Sequence, residues 1–449
     1  MTIDQAREYV VIVNGGSGCI MQPMSDEYAY LLTAKHNIEK GYNTLKAITN
    51  FIYSEGKWSE KTIPIKKFES GSNYFPHPQK DIAIIKIPVQ PHLTEAYRFD
   101  DINHDKSGYY LMGYPELRRK THRTDRKQWY RRDQSVEIID PRGAGMYEAK
   151  VPDNATLQEI MGQSGGCFCK VQDGKLFIAG IQNSMADANE QMGHVRFTDM
   201  ASFDEIIALH TEVLVPLLPC HLKSFSFLWH EAFNLDAGLY NENIKFVKAF
   251  LKNKITEVIG DAATPSAIKK LFEHRLLLYS ESTQTLQSKK IWIIWLEFLT
   301  ILNLVKKQDY SEPGILELFN RIRLLCSDTD RDWGMELGNI IRADYKGLPK
   351  GSTVIIGTAR PPAQNQFKLD RNIPLIDKAF RDHRSTINYN DLVIDEGITF
   401  PLYDYTFIHI AYFKDGAILN KNSEYAALMD DDHKILAKLQ EEYKELLGK

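Results

Sequence analysis

The chain has 449 residues, which is too long for one compact hydrophobic core, and this length predicts about three domains. Hydrophobic residues make up 43% of the chain and charged residues 25%, as in ordinary globular proteins. The net charge of −4 excludes a general attraction of the whole molecule to nucleic acid.

The cysteines show neither a metal-binding spacing nor an even number. The two closest in sequence, Cys167 and Cys169, are too near each other for the usual zinc knuckle, and no metal site or cofactor is predicted. An odd number of cysteines favours a reducing compartment. The first nine residues are polar and charged, which is unlike a signal peptide, so we expect a cytoplasmic protein. The five cysteines stand at 19, 167, 169, 220 and 326.

Short apolar or alternating runs, separated by Gly, Pro, Asn and Ser, fill the first two hundred residues and predict β-strands. They form two groups, and each group fits one closed antiparallel barrel. We therefore expect an all-β double barrel in a first domain over 1–218. The predicted strands are 9–13, 28–32, 45–53, 63–68 and 82–87 in the first group, and 109–113, 135–139, 146–150, 167–171, 175–181 and 194–197 in the second.

A densely basic segment, RRKTHRTDRKQWYRR at 118–132, lies between strands of the second group. We favour a solvated surface loop. Because Trp129 and Tyr130 are interleaved with the basic residues, binding of single-stranded nucleic acid stays open as an alternative. Docking of an acidic partner is a third interpretation.

Helical spacing begins near residue 203 and predicts a helical domain over 219–345. Thr264 and Pro265 form a plausible N-cap followed by proline at the first helical position. The very apolar run 291–305 is too short to span a membrane and contains Glu297, so it predicts a buried core helix and no membrane span. The predicted helices are 203–218, 222–233, 241–258, 265–279, 289–304 and 314–326.

The last part of the chain, 346–449, is predicted to be a small α/β domain. Buried strands are expected at 352–358 and 407–413, and helices at 377–382 and 432–447. No nucleotide-binding loop, metal cluster or repeat is found there. Recognition or assembly is the expected role of this domain.

Three short motifs carry the chemistry. A serine between glycines, Ser164 in GQSGG, can present a nucleophilic hydroxyl on a tight turn, although a plain glycine turn would have the same residues. Upstream, His36 ends the apolar LLTAKH and Asp81 opens DIAIIK. A lone histidine or aspartate at such a position is usually structural, but the order His, Asp, Ser is that of one known catalytic arrangement.

These motifs resemble those of trypsin-like serine proteases of the chymotrypsin fold, with HtrA-type members the most similar in character. GSGCI at 16–20 resembles the strand before the histidine loop, and IAGI at 178–181 the strand that lines the substrate cleft. The resemblance extends over about residues 8–200. It implies a serine endopeptidase acting on a protein substrate through an acyl-enzyme.

The resemblance also implies residue roles. Ser164 would be the nucleophile, His36 the general base and acid, and Asp81 the residue that orients the imidazole. The N–H groups of Gly162 and Ser164 would form the oxyanion hole. The substrate pocket would have Gln158 at its base and Gln182, Asn183 and Ser184 in its wall.

The chain departs from the family at several positions. Gln163 replaces the acidic residue that pairs with a new N-terminal amine when secreted members are activated, so that route of activation is not expected. Asn37 stands where secreted relatives commonly have a cysteine. Because Gln158 is uncharged, a preference for Arg or Lys is not supported, although Asp187 lies nearby in sequence.

The long C-terminal extension resembles, in architecture alone, protease effectors of bacterial antiphage defence such as Lamassu and other ABC three-component systems. The resemblance implies a regulatory protein partner, an SMC-like or ABC ATPase, that binds through 219–449. Two alternatives from other classes stay open. One is a pseudoprotease that serves as a binding module, and the other is a nucleic-acid-binding regulator that uses 118–132.

Overall fold

The computed structural model describes residues 2–39, 48–65, 68–93, 96–152, 155–172, 174–187, 192–362, 368 and 405–447. It divides into two compact units, Met1–Cys220 and His221–Lys449. The first unit consists mainly of two β-sheets. The second is mostly helical and contains a small sheet.

The first sheet is antiparallel and has seven strands in the order β5-β4-β1-β2-β3-β7-β6. Its buried strands are short and apolar, whereas β5 is largely exposed. A one-turn helix, α1 (His36–Glu39), follows β3. The strands are β1 (Val10–Val13), β2 (Gly16–Met21), β3 (Tyr28–Thr33), β4 (Ile48–Ser54), β5 (Lys57–Ile63), β6 (Tyr74–Pro76) and β7 (Ala83–Pro88).

The second sheet closes into a barrel of six strands, β12-β9-β10-β11-β14-β13, because β13 pairs with β12 as well as with β14. A seventh strand, β8, joins β13 in parallel. The strands are β8 (Ala96–Arg98), β9 (Tyr109–Gly113), β10 (Arg131–Gly143), β11 (Met146–Lys150), β12 (Cys167–Gln172), β13 (Lys175–Met185) and β14 (His194–Asp199). The helices are α2 (Glu116–Thr121), α3 (Leu157–Ile160) and α4 (Met200–Leu209).

Three hydrophobic cores hold the first unit together. The interior of the barrel contains the stacked rings of Tyr109, Phe168 and Phe197. A second core draws residues from both sheets and from α4, including Tyr30 and Phe203, and the third lies on the first sheet. Three buried cysteines, Cys19, Cys167 and Cys169, lie in this second core as free thiols. Burial of apolar faces on both sheets therefore fixes the loops that connect them.

Most predicted strands of the first unit are confirmed, with three differences. The predicted strand 63–68 is wrong, because β5 ends at Ile63 and residues 64 and 65 are not in a strand. The strands β5, β6 and β8 were not predicted, since β5 is polar and the other two have only three residues each. The first group forms a sheet of seven strands in which the described residues show no pairing between β5 and β6.

The second unit contains helices and a parallel sheet in the order β15-β16-β17. Thr264 caps α6 by accepting the Ala267 N–H at 3.1 Å, with Pro265 as the first helical residue, as predicted. The elements are α5 (Lys245–Ile259), α6 (Pro265–Phe272), α7 (Lys289–Val305), α8 (Glu312–Phe319), β15 (Ile322–Cys326), α9 (Leu337–Ile341), β16 (Thr353–Gly357), β17 (Thr406–His409), α10 (Asn422–Ala426) and α11 (Asp432–Leu447).

The apolar helix α7 is buried, and its one acidic residue is paired. Glu297 accepts hydrogen bonds from the Phe233 N–H and from Lys414 Nζ, both at 2.7 Å, so the buried carboxylate is satisfied. This agrees with the prediction of a core helix. Among the helices that the structure describes, none has the length and hydropathy needed to cross a bilayer.

Three predictions for the second unit are wrong. Short 3-10 turns replace the predicted helix 222–233, and the predicted helix 314–326 ends at Phe319 and is followed by β15. The predicted strand 407–413 becomes a 3-10 helix after His409. The predicted helix 377–382 lies outside the described residues. β15 and β16 pair although they lie on opposite sides of residue 345, so one sheet contains residues of both predicted domains. The boundary between 219–345 and 346–449 stays a prediction.

Candidate active site

The sheet register brings His36 and Asp81 together. β3 and β7 are antiparallel neighbours in which Thr33 pairs with Ala83, so the segment after β3 lies beside the segment before β7. His36 Nδ1 lies 2.7 Å from Asp81 Oδ2, and the His36 N–H donates to Asp81 Oδ1 at 3.0 Å. The carboxylate thus binds His36 at two points. With a proton on Nδ1, the ring has Nε2 free to accept another.

Ser164 lies in a tight loop between α3 and β12 that only glycine can form. A capping box of Thr156 and Glu159 begins α3, and the chain then turns through Gly162 and Gly165, both at φ 84°. A Cβ atom on Gly165 would lie 2.0 Å from the Ser17 carbonyl oxygen. Both glycines are therefore required by backbone conformation and by close packing.

Asn183 connects the serine loop to the aspartate. Its Nδ2 donates to the Asp81 carbonyl oxygen at 2.6 Å, and its Oδ1 accepts from the Thr198 hydroxyl at 2.7 Å. Ser164 Oγ donates to the Asn183 carbonyl oxygen, and no hydrogen bond joins Ser164 Oγ to His36 in this structure. In this structure Asn183 therefore contacts both the Ser164 hydroxyl and the Asp81 main chain.

The backbone of the serine loop offers two N–H groups for an anion. Within the described residues, neither the Gly162 N–H nor the Ser164 N–H has a hydrogen-bond acceptor, whereas the Gln163 N–H between them donates to the Ile160 carbonyl oxygen at 2.8 Å. The Gly162 carbonyl accepts from Ser17 Oγ at 3.1 Å, which fixes the orientation of that peptide. Two such N–H groups can stabilise negative charge that develops on a carbonyl oxygen.

A buried ion pair supports this loop from within the first unit. The Gln163 side chain is fully buried, and its Nε2 lies 3.4 Å from Asp133 Oδ2. Arg131 Nε binds both carboxylate oxygens of Asp133 at 2.9 Å, and both of these residues are buried. The Gln163 side chain is thus a neutral amide that hydrogen-bonds to Asp133 of β10.

Ser17 and Asn37 attach the serine loop to the first sheet, and their roles were not predicted. The Ser164 carbonyl oxygen accepts from the Ser17 N–H and from Asn37 Nδ2, each at 2.8 Å. Asn37 Nδ2 also lies 3.1 Å from Thr33 Oγ1. A Cβ atom on Gly16 would come within 2.1 Å of the Asn37 carboxamide, so Gly16 makes room for it. The only sequence signal was the unusual asparagine next to His36.

The predicted pocket residues occupy different environments. Gln182 is buried, and its main chain pairs with Gly165 and Gly166. The Asn183 side chain is directed into the hydrogen bonds with Asp81 and Thr198, whereas Ser184 is exposed. Gln158 is exposed on α3. Of the predicted wall, Ser184 alone therefore has a side chain that is largely exposed.

Several basic side chains of the segment 118–132 form ion pairs with acidic residues of the first unit. Lys120 pairs with Glu116 and Arg126 with Glu60, while Arg131 and Arg132 pair with Asp133 and Asp4. Arg119 donates to the Gly15 carbonyl oxygen. Burial is the main cause that lowers the Arg119 pKa from its ordinary value. These contacts leave few cations of the segment free for phosphate groups.

Removing the Asn37 amide is expected to destabilise the first unit and to slow reactions at Ser164. In Asn37→Ala the loop keeps its bond to the Ser17 N–H but loses the buried amide, which we expect to lower the free energy of unfolding by about 1–3 kcal/mol. Urea denaturation measures this loss, with the exposed Asn320→Ala as control. If the curves of Asn37→Ala and wild type coincide, Asn37 does not stabilise the loop.

Comparison with known proteins gives information on the C-terminal part. Residues 197–419 match the family model of C-terminal domain 4 (CTD4) of the ABC-three component (ABC-3C) systems. The match begins in β14 and excludes His36, Asp81 and Ser164. A search of curated proteins found no match to the chain. The C-terminal extension is therefore similar to a domain of ABC-three component systems, which confirms that part of the expected resemblance.

No metal centre accompanies the site in the described parts of the chain, where no group of three or more His, Cys, Asp or Glu residues is placed to hold an ion. The arrangement around Ser164 thus offers an oriented imidazole, a hydroxyl on a constrained loop and two unpaired N–H groups.

Proposed function

We propose that the protein is a serine endopeptidase of the chymotrypsin type, with the two sheets of the first unit acting as its two barrels. The observation that carries the proposal is the double hydrogen bond between His36 and Asp81, in a unit that also holds Ser164 on a glycine loop. The link from Asp81 through Asn183 to Ser164 supports it further, since it joins the two halves of the site.

In the proposed reaction, Ser164 Oγ turns from the Asn183 carbonyl toward His36 and attacks the carbonyl carbon of a peptide bond. His36 Nε2 takes the hydroxyl proton, while Asp81 stabilises the imidazolium. The N–H groups of Gly162 and Ser164 bind the oxyanion. The C–N bond then breaks, and the amine leaves with the proton from His36. Water attacks the acyl-enzyme by the same steps and releases the acid.

An active-site probe tests this proposal and separates it from the pseudoprotease alternative. A fluorophosphonate is expected to label the purified full-length protein at Ser164, located by peptide mass spectrometry, and His36→Ala is expected to prevent labelling. A pseudoprotease in which Ser164 stays bonded to Asn183 would not react. Absence of labelling in a folded wild-type protein, both alone and with the proposed partner, would contradict the proposal.

We also propose that the endopeptidase is a regulated effector in bacterial antiphage defence. The match of residues 197–419 to a domain of ABC-three component systems supports this role, because such systems have several components. The proposed partner is an SMC-like or ABC ATPase that binds through 219–449. To shift the site to its active state, the partner must bind the active state about 100-fold more tightly than the inactive state. This difference in affinity corresponds to about 2.7 kcal/mol.

The regulatory proposal has a direct test. The full-length protein, with and without the candidate ATPase, is assayed for fluorophosphonate labelling and for cleavage of co-expressed proteins. We expect the partner to increase both rates. Full activity of the protein alone, with no increase on adding any partner, would argue against it.

Nucleic-acid binding through 118–132 is less well supported, because four of its eight Lys and Arg residues form ion pairs within the first unit. Salt-dependent binding of labelled oligonucleotides would support it.

A further inference from the structure

We propose that Arg196 selects substrates with an acidic residue on the N-terminal side of the scissile bond, which we call the acyl-side residue. The proposal rests on the endopeptidase function proposed above. It names the chemical class of substrate that the site takes, a carboxylate side chain.

Strand pairing places Arg196 beside the serine loop. β13 and β14 are antiparallel neighbours, and Ser184 of β13 pairs directly with Arg196 of β14. Ser184 follows Asn183, whose carbonyl oxygen accepts the hydrogen bond from Ser164 Oγ. Directly opposite residues in a sheet have Cβ atoms about 5 Å apart. The Arg196 side chain therefore starts one strand away from Ser184, the exposed residue of the predicted pocket wall.

The face of β14 that carries Arg196 is the one directed toward the His–Asp pair. Val195 and Phe197 are buried in the barrel core, so the residues between and after them project from the opposite face. Thr198 on that opposite face donates to Asn183 Oδ1, and Asn183 in turn contacts the Asp81 main chain. Arg196 is two residues before Thr198 and shares its face. Ser184, its cross-strand neighbour, is exposed there as well.

Arg196 is half-buried and has no ion-pair partner among the described residues. Its Nε is shielded from solvent and makes no hydrogen bond. The nearest acidic candidate by register is Glu148, directly across on β11. The Glu148 carboxylate is bound by His194 Nδ1 at 2.7 Å and by Arg142 Nε at 2.8 Å, and no ion pair joins it to Arg196. The hydrogen bond from His194 and the contact with Arg142 lower the Glu148 pKa.

Within the described residues, the Arg196 guanidinium has no ion-pair partner of the kind that partly buried cations normally have. A planar guanidinium binds a carboxylate through two parallel hydrogen bonds, and such charge-assisted bonds are stronger where water is excluded. The other predicted pocket side chains, Gln158 and Gln182, are neutral and would not compete for a carboxylate. Arg196 would thus bind an aspartate or glutamate side chain and repel lysine or arginine.

The test compares peptides that differ only at the acyl-side residue, which is Asp, Glu, Asn, Gln or Lys. With the wild-type full-length protein, we expect kcat/KM for the acidic peptides to exceed that for their amide isosteres by about 10- to 100-fold. Arg196→Gln should abolish this ratio, Arg196→Lys should retain part of it, and Arg196→Glu should shift the preference toward Lys. The exposed Arg123→Gln, with the same loss of charge, should behave as wild type.

Fluorophosphonate labelling of Ser164 separates the two proposals, because this small probe has no acyl-side residue. All Arg196 variants should be labelled at the wild-type rate. If wild type is labelled but cleaves acidic and amide peptides equally well, the role of Arg196 is wrong and the endopeptidase stands. If neither labelling nor cleavage occurs, the endopeptidase proposal is overturned, and the specificity with it. A ratio that survives in Arg196→Gln would assign the preference to another residue.

Discussion

Replacing Ser164 with alanine is expected to abolish peptide-bond hydrolysis, with kcat reduced by about 10⁶-fold, as for other nucleophilic serines that act in a triad. The hydroxyl is the nucleophilic side-chain group of the glycine loop, and the proposed acyl-enzyme would form on it. Its loss removes one hydrogen bond, to the Asn183 carbonyl oxygen, which we expect to cost about 0.5–1.5 kcal/mol of folding free energy. The loop itself should persist, because Ser17 and Asn37 hold the Ser164 main chain.

The measurement is cleavage of a peptide or of a co-expressed substrate by purified wild-type and Ser164→Ala proteins. Ser59→Ala is a matched control, because the exposed Ser59 hydroxyl also donates to a main-chain carbonyl, that of Ile52. Urea denaturation verifies that both variants are folded. Cleavage by Ser164→Ala at the wild-type rate would show that Ser164 is not the nucleophile.

Much of the candidate site follows from sequence because each key residue is adjacent to a strongly patterned element. His36 lies three residues after a buried strand, and Asp81 lies two residues before another, so their strands had only to pair for the side chains to meet. The glycines beside Ser164 marked the turn, since left-handed backbone conformations favour glycine. These signals are local, and local signals can be detected in a single sequence.

The supporting residues could not be predicted, because their partners are distant in sequence. Asn37 contacts Ser164 across 127 residues, and Gln163 contacts Asp133 across 30. Ser17 lay within a recognised motif, yet nothing in that motif indicated that its hydroxyl bonds to Gly162. Which polar atoms meet depends on how the two sheets pack. Side-chain periodicity indicates which residues are buried and gives no information on that packing.

The errors in the second unit have a related cause. The predicted helix 314–326 includes IRLLC at 322–326, where Leu and Arg suit a helix as well as a strand. Pairing with β16 decides in favour of the strand, which is a tertiary effect. Arg323 within it is buried and donates to the Lys346 carbonyl oxygen at 3.1 Å. An apolar run of this length is ambiguous until its neighbours are known.

Asp81→Asn is expected to lower kcat by about 10⁴-fold while leaving the fold intact, the magnitude found for the equivalent change in a serine protease. The reason lies in the two hydrogen bonds that Asp81 accepts, from His36 Nδ1 and from the His36 N–H. An asparagine has one oxygen and one NH₂ group. If its oxygen faces Nδ1, the NH₂ group meets the backbone N–H donor. If its NH₂ group faces Nδ1, the imidazole must carry its proton on Nε2, which then cannot accept the Ser164 proton.

The first orientation loses the hydrogen bond from the His36 N–H, whereas the second keeps both hydrogen bonds but imposes the wrong tautomer. The bond from Asn183 Nδ2 to the residue-81 carbonyl oxygen is unaffected, so the link to the serine loop should survive. Peptide cleavage and the rate of fluorophosphonate labelling measure the effect, and both should fall together because both need His36 as a base. The exposed Asp26→Asn serves as the control for loss of one carboxylate. Turnover of Asp81→Asn within tenfold of wild type would mean that Asp81 does not set the tautomer of His36.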